Sequence, residues 1–144
     1  MPNRVFGYSL NKDKDSYELN DYHIVNDVRG DGGVYSTIND LFKWNMALLD
    51  HKVVPEKLLD EAWRVGTLNN GEDTEYGYGW FIGDSSKPKS VFHSGGWVGF
   101  ATYLYNEIDT RSGYVILTND SSRVIVNIIN SINYIRETGK YVSK

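Results

Sequence analysis

Val91-Phe92-His93-Ser94-Gly95-Gly96-Trp97-Val98-Gly99-Phe100 is the stretch on which the reading of this chain turns. Apolar residues lead into a polar step, two glycines follow, and a Trp and a Phe resume a strand-like run. Glycine inside a strand removes a side chain that would pack, so a Gly-Gly pair there marks a bulge, a corner or a close approach of backbone to something else. Two readings stand side by side. One is a strand edge that presents its backbone to a ligand, and the other is a plain hairpin corner.

The flanking residues set that strand in a sheet. Residues 100–105 and 114–119 are two more strand-like runs, joined by connections too short for parallel crossovers, so the three are expected to form an antiparallel meander. Upstream, Tyr76-Gly77-Tyr78-Gly79-Trp80-Phe81-Ile82 alternates aromatic and glycine and is expected to pair as a further strand. Asn69-Asn70-Gly71 before it is a strong turn signal.

Helices fill the rest. Ser36 or Thr37 is positioned to cap a helix whose Leu41, Trp44 and Leu48, with Met46 and Leu49 beside them, make an apolar face. Pro55 opens a second helix over residues 56–65, with Leu58, Leu59, Ala62 and Trp63 on its apolar side. Val124, Ile125, Ile128, Ile129, Ile132 and Ile135 recur at helical spacing in a last helix ending near Gly139, and this stripe is expected to lie on the sheet. At the other end, residues 5–10, 17–19 and 22–25 read as short strands around a charged turn at 11–15. Gly30-Asp31-Gly32-Gly33 is a loop.

Four phrases occur in an order that resembles the serine beta-lactamase and penicillin-binding-protein superfamily. They are Gly30-Asp31-Gly32-Gly33-Val34-Tyr35-Ser36-Thr37-Ile38-Asn39-Asp40-Leu41, Tyr76-Gly77-Tyr78-Gly79-Trp80, His93-Ser94-Gly95-Gly96 and Leu117-Thr118-Asn119. The chain is similar to the class C-like branch in which His replaces the Lys of Lys-Thr-Gly. The resemblance implies an α+β fold, an antiparallel sheet packed by helices, as the C-terminal portion of the beta-lactamase/transpeptidase-like fold. It implies acyl-enzyme hydrolysis of a beta-lactam, an ester or a D-amino-acid peptide.

The resemblance also implies roles for single residues. The backbone N–H of Gly96 would be one oxyanion-hole donor, and His93 would tune charge in the catalytic group. Gly95 would let substrate backbone lie along the strand, Ser94 would bind a carboxylate or carbonyl, and Trp97 would line the mouth. A Lys would hold a fixed positive charge where a histidine is mostly neutral near pH 7, so the substrate class widens to include esters and D-amino-acid bonds. The plainer role for His93 is a strand histidine donating to backbone.

The family's Ser-x-x-Lys nucleophile and its Tyr-x-Asn have no convincing match. Ser9-Leu10-Asn11-Lys12 fits the letters but opens a charged turn, and Ser86-Lys87-Pro88-Lys89 carries a proline that would break the needed helical turn. Ser131-Ile132-Asn133 lies inside the last helix. Residues 1–144 are therefore expected to be a single incomplete domain, a C-terminal part without its nucleophile and inactive alone. Its expected partners are a small-molecule or cell-wall peptide substrate in the intact protein and the missing N-terminal part of the domain. Two alternatives remain: a peptide- or glycan-binding module using the same sheet, and self-association through an apolar face left open.

Bulk properties narrow the field. With 15 Lys and Arg against 19 Asp and Glu, the net charge of -4 gives no basic surface for nucleic acid or anionic membrane. No cysteine is present, so disulfide and thiol chemistry are out. No cofactor and no metal site is expected; His23 is a lone histidine among aromatics, and His51 is expected at the surface. An exported and a cytoplasmic home both remain open, with no signal pattern at the N-terminus. The 11 Tyr and 4 Trp are explained by half-buried strands under helices, or by a glycan platform.

Overall fold

The computed structural model describes residues 3–141 except Lys14, Asp27, Arg29, Pro88 and Arg123. Pro88, expected to break a helical turn, and Lys14 of the charged turn at 11–15 therefore lie outside the described residues. The elements run β1 (Tyr8–Leu10), β2 (Tyr17–Leu19), α1 (Ile38–Leu49), α2 (Glu56–Ala62), β3 (Phe81–Ile82), β4 (Ser90–Trp97), β5 (Phe100–Glu107), β6 (Ser112–Thr118) and α3 (Val124–Thr138). β1 and β2 form an antiparallel pair, Tyr8 opposite Leu19. β3 to β6 form one sheet in sequence order. β3 runs antiparallel to β4, and the two-residue link between β4 and β5 allows only a hairpin. The α+β reading holds.

The chain gathers into two compact units, one of residues 35–94 and 103–116, the other of residues 1–34, 95–102 and 117–144. The first holds the hydrophobic core. Leu48 and Leu49 of α1, Leu59 of α2, Trp63 and Val91 of β4 are buried together, with Met46, Val54, Ala62, Trp80, Ile82 and Ile108 packed against them. Fully burying each such side chain contributes roughly 1.5–3 kcal/mol.

α1 starts where a cap predicts it should. Thr37 Oγ1 accepts the Asp40 N–H at 3.1 Å and its hydroxyl donates to the Asp40 carboxylate. The expected face is shifted by one position: Asn45 is buried, whereas Trp44 is 40% exposed and stacks on Trp80 at 6.4 Å. Leu41, Asn45, Leu48 and Leu49 are spaced i, i+4, i+7 and i+8, so an asparagine stands at the centre of the stripe.

α2 stops at Ala62 rather than near Val65, and Leu58 is exposed. The cause is the stretch that was expected to be a strand. Residues 76–81 instead fold back on themselves: Gly77 N–H donates to the Trp80 carbonyl at 2.8 Å, Tyr76 bridges Phe81, and only Phe81–Ile82 join the sheet. Tyr78 N–H then donates to the Ala62 carbonyl at 3.0 Å and occupies the helix end. A Cβ at Gly77 would lie 2.2 Å from that carbonyl oxygen, so glycine is required there.

On β3 to β6 of this unit the aromatic residues form a ladder. Phe81 stacks on Phe92 at 5.5 Å, Phe92 lies 5.8 Å from Tyr103, and Tyr105 stacks on Tyr114 at 5.2 Å. These rings are half-buried cross-strand neighbours apart from the more open Phe81, as β-sheet aromatics commonly are. Burial, with Tyr114 and Tyr105 beside it, pushes the Tyr103 hydroxyl well above the usual tyrosine range.

The second unit is held by polar ties. Tyr8 N–H donates to the Asn119 carbonyl at 2.9 Å, Ser121 N–H to the Tyr8 carbonyl at 3.1 Å, and the Asn119 side chain to the Phe6 carbonyl at 2.9 Å. Residues 22–25 are not a strand: His23 N–H donates to Asn26 Oδ1 and Asn26 N–H to the His23 carbonyl, which closes a turn. α3 forms as expected and ends with Gly139 N–H on the Ile135 carbonyl at 2.7 Å. None of its residues is fully buried; Ile125, Ile129, Ile132 and Ile135 are half-buried, while Val124, Val126 and Ile128 are exposed. No helix among the described residues is long and apolar enough to cross a membrane.

Asp21 ties the start of this unit together. Its carboxylate takes both ends of the Arg4 guanidinium, one at 2.8 Å, and the Gly7 N–H at 2.8 Å. Arg4, then the Gly7 N–H, outweigh partial desolvation and hold this carboxyl below the usual aspartate range. A carboxyl depressed in the folded state binds fewer protons there than when unfolded, so its stabilisation is present at neutral pH and is lost as pH falls through its folded pKa. Asp21→Asn should cost about 1–2 kcal/mol at pH 7. Thermal melts of both proteins from pH 7 downward should converge once pH passes below about 4. A gap that stayed constant to pH 2 would show that the charge contributes nothing.

Candidate functional site

β4 changes character along its length. Ser90 and Val91 are buried, Phe92 and His93 half-buried, and Ser94 through Trp97 exposed. Its first half is thus anchored in the core, and its second half presents backbone and short side chains to the surroundings.

His93 is held at both ring nitrogens. Nδ1 lies 2.7 Å from the Ser94 carbonyl oxygen, and Nε2 lies 2.8 Å from the Tyr76 hydroxyl. A carbonyl only accepts, so Nδ1 carries the proton. In the neutral ring Nε2 is then a lone pair, and the Tyr76 hydroxyl donates to it. The backbone-donating role is therefore met together with a side-chain contact that strand alternation did not suggest. Phe81 closes the corner, its ring 4.8 Å from Tyr76 edge-on and 5.5 Å from His93.

Tyr76 reaches His93 because of the folded-back segment. Phe81 pairs with Tyr76 on one side and with Phe92 of β4 on the other, which brings residues 76 and 93 together across 17 positions of sequence. A strand over 76–82 would have carried Tyr76 away. Tyr76 is the partner of His93 that sequence reasoning missed, and the Gly-x-Gly between two aromatics was the signal, since it suits a tight reversal as well as a strand.

The two glycines differ. A Cβ at Gly95 would meet Thr102 Oγ1 at 2.4 Å, so a side chain there would require the Thr102 hydroxyl on β5 to turn away. A Cβ at Gly96 would meet nothing within 4 Å, and its φ is not in the left-handed region. The fold makes no demand for glycine at 96. Trp97 is 46% exposed; its indole N–H donates to Asn26 Oδ1 at 2.7 Å and His23 packs edge-on at 5.5 Å. Asn26 is a second residue that sequence reasoning did not single out.

The two serines that match Ser-x-x-Lys by letter do not stand at helix starts. Ser9 lies on β1 and its hydroxyl bonds to Ser121 at 2.6 Å, and Ser86 lies in a turn closed by its N–H on Asp84. Ser131 and Asn133 lie on α3 as expected. Thr37 is fully occupied as a cap, and Asn119 is bound to backbone. His51 is exposed at a positive φ of 57°. Among the described residues no group of three or more His, Asp or Glu is placed to hold a metal ion.

The family model described as Beta-lactamase matches residues 2–127. Penicillin-binding protein 4* of Bacillus subtilis (strain 168) is similar to this chain, 34% identical over 123 residues. That alignment covers 80% of this chain and 27% of the relative, so the chain spans about a quarter of the length of the curated relative it matches.

Proposed function

The chain belongs to the beta-lactamase family, and from that premise we propose that β4 from His93 to Trp97 is one wall of an acyl-transfer site. In this reading a serine nucleophile attacks the carbonyl of a beta-lactam, an ester or a D-amino-acid peptide, and water then releases the acyl-enzyme. Gly96 N–H donates to the developing oxyanion. Gly95 leaves room for an extended substrate along the strand, the Ser94 hydroxyl binds a carboxylate or carbonyl of the substrate, and Trp97 bounds the mouth. His93 shapes the charge beside the reacting group. The nucleophile is not one of the two letter matches in this chain, so these 144 residues alone should turn over no substrate.

The observation that carries the reading is Gly96. It is exposed, a Cβ there would meet nothing within 4 Å, and its backbone needs no glycine. An exposed main chain with no side chain over it is suited to a ligand that comes close to the backbone.

The test compares Gly96→Ala with wild type in the gene's full product, using nitrocefin and p-nitrophenyl acetate. Expected is a drop of about 100-fold in kcat/KM, the effect of misplacing a bound substrate by about 1 Å, with stability within about 0.5 kcal/mol. Undiminished kcat/KM overturns the placement of substrate against Gly96. Turnover by these 144 residues alone that vanishes in Ser9→Ala or Ser86→Ala overturns the assignment of the nucleophile elsewhere. Saturable binding of cell-wall fragments, abolished by Trp97→Ala and without turnover in the full product, would establish a binding module instead.

A further inference from the structure

We infer that Tyr76 is a positioning residue for His93, holding Nε2 in place and preventing the ring from turning, while the Ser94 carbonyl keeps the proton on Nδ1. The inference rests on His93 belonging to the acyl-transfer site and deepens that reading by giving the histidine a defined orientation.

Three observations carry it. The Ser94 carbonyl, 2.7 Å from Nδ1, requires a proton on that nitrogen, and the Tyr76 hydroxyl, 2.8 Å from Nε2, occupies the other. Flipping the ring about its Cβ–Cγ bond would put carbon atoms against both partners and lose two hydrogen bonds. Phe81 packs against both rings, 4.8 Å from Tyr76 and 5.5 Å from His93. Tyr76 and Phe81 belong to the folded-back hairpin 76–81, whose shape is enforced by Gly77 packed on the Ala62 carbonyl.

The chemistry of the hydroxyl gives the arrangement its use. A tyrosine O–H both donates and accepts. It donates to Nε2 while His93 is neutral and accepts from Nε2–H when His93 is charged, so the Tyr76–His93 bond survives either state. Nδ1 keeps its proton and donates it to the Ser94 carbonyl throughout. A proton that enters or leaves the ring therefore does so at Nε2, at the atom that Tyr76 touches. His93 thus acts in the site as an oriented imidazole with one exchangeable position, clamped to the strand that carries Ser94 to Trp97.

The test is nitrogen NMR on 15N-histidine-labelled protein in buffer alkaline enough to keep the imidazole neutral, with His93→Gln assigning the signals. Wild type should show a pyrrole-type Nδ1 and a pyridine-type Nε2 for His93, a single tautomer. Tyr76→Phe, which keeps the ring against Phe81, should move the Nε2 signal toward that of a lone pair without a donor while Nδ1 stays pyrrole-type on the Ser94 carbonyl. Phe81→Leu removes ring packing and leaves the hydroxyl, and should keep the wild-type tautomer. A wild-type Nε2–H tautomer, or His93 signals unchanged in Tyr76→Phe, overturns the inference. So does a Phe81→Leu protein that reproduces the Tyr76→Phe spectrum, because packing would then set the ring. These outcomes are independent of turnover: a full gene product with no hydrolytic activity, alongside the expected spectra, removes the acyl-transfer reading and leaves the positioning contact in place.

Discussion

Asn106→Leu should destabilise the fold by about 3 kcal/mol and Asn45→Leu by a similar amount, while the double substitution costs clearly less than the sum. Asn106 is 0% exposed and Asn45 4%. Their amides face each other, each donating to the other's oxygen, Asn106 Nδ2 to Asn45 Oδ1 at 2.7 Å and Asn45 Nδ2 to Asn106 Oδ1. Replacing one strands a carbonyl and an amide group in a site that water does not reach, and each orphan costs about 1–3 kcal/mol. Replacing both removes the orphans and leaves two apolar side chains of similar volume. Urea denaturation of the four proteins gives the coupling. Additive single effects would show that each amide is satisfied some other way and that the pair is incidental.

The pair matters beyond its own energy because it joins α1 to β5, 61 residues apart in sequence. Apolar contacts are tolerant of a slide by one residue, whereas two reciprocal amide bonds are met in one register only. Arg111 makes a second tie at the end of α1, donating to the Leu49 carbonyl at 3.2 Å and pairing with Asp50. Lys52 and Arg111 together hold the Asp50 carboxyl below the usual aspartate range. The helix that shares its core with the buried head of β4 is thereby fixed at its middle and at its end. That rigidity is what a strand presenting a site needs from its support.

What the sequence made legible follows from how local the determinants are. The cap at Thr37, the proline before α2, the stop at Gly139 and the meander of β4, β5 and β6 rest on neighbouring residues, and each was found where periodicity and turn chemistry place it. Asn45 was invisible because a polar residue inside an apolar stripe reads as an interruption until its partner, 61 positions on, is known. The hairpin at 76–81 was misread because alternating glycine and aromatic fits a strand and a reversal equally, and the deciding group, the Ala62 carbonyl at the end of α2, belongs to another element. That one misreading hid Tyr76. The candidate strand itself was legible, since Gly95 and Gly96 stand out against its periodicity, but only the space around each separates a packing glycine from one left open.

Gly99→Ala, a single-methyl addition next to β4, should lower stability by about 3 kcal/mol or more, at the upper end for overpacking. A Cβ at Gly99 would lie 2.2 Å from the Tyr8 nitrogen, 2.3 Å from the Gly7 carbonyl carbon and 2.5 Å from the Asn20 carbonyl oxygen. All three are backbone atoms, so no side chain can swing aside. Relief requires moving the N-terminal segment and breaking the Gly99 N–H bond to the Asn20 carbonyl at 2.6 Å. For a chain of this size such a loss corresponds to a Tm drop of about 10 °C. The preceding residue predicts the opposite sign. Val98 holds a φ of 45°, a conformation costly for a β-branched residue. Val98→Gly removes that strain against a larger entropy loss on folding, leaving a net gain of up to about 1 kcal/mol. Opposite signs at adjacent positions separate close approach from generic loop sensitivity. Gly99→Ala and Val98→Gly shifting Tm in the same direction would overturn the account. Trp97 stands immediately before this corner, tied to Asn26. Loosening the corner in Gly99→Ala should therefore free its indole, raising quenching of tryptophan emission by acrylamide, whereas Val98→Gly should leave quenching unchanged.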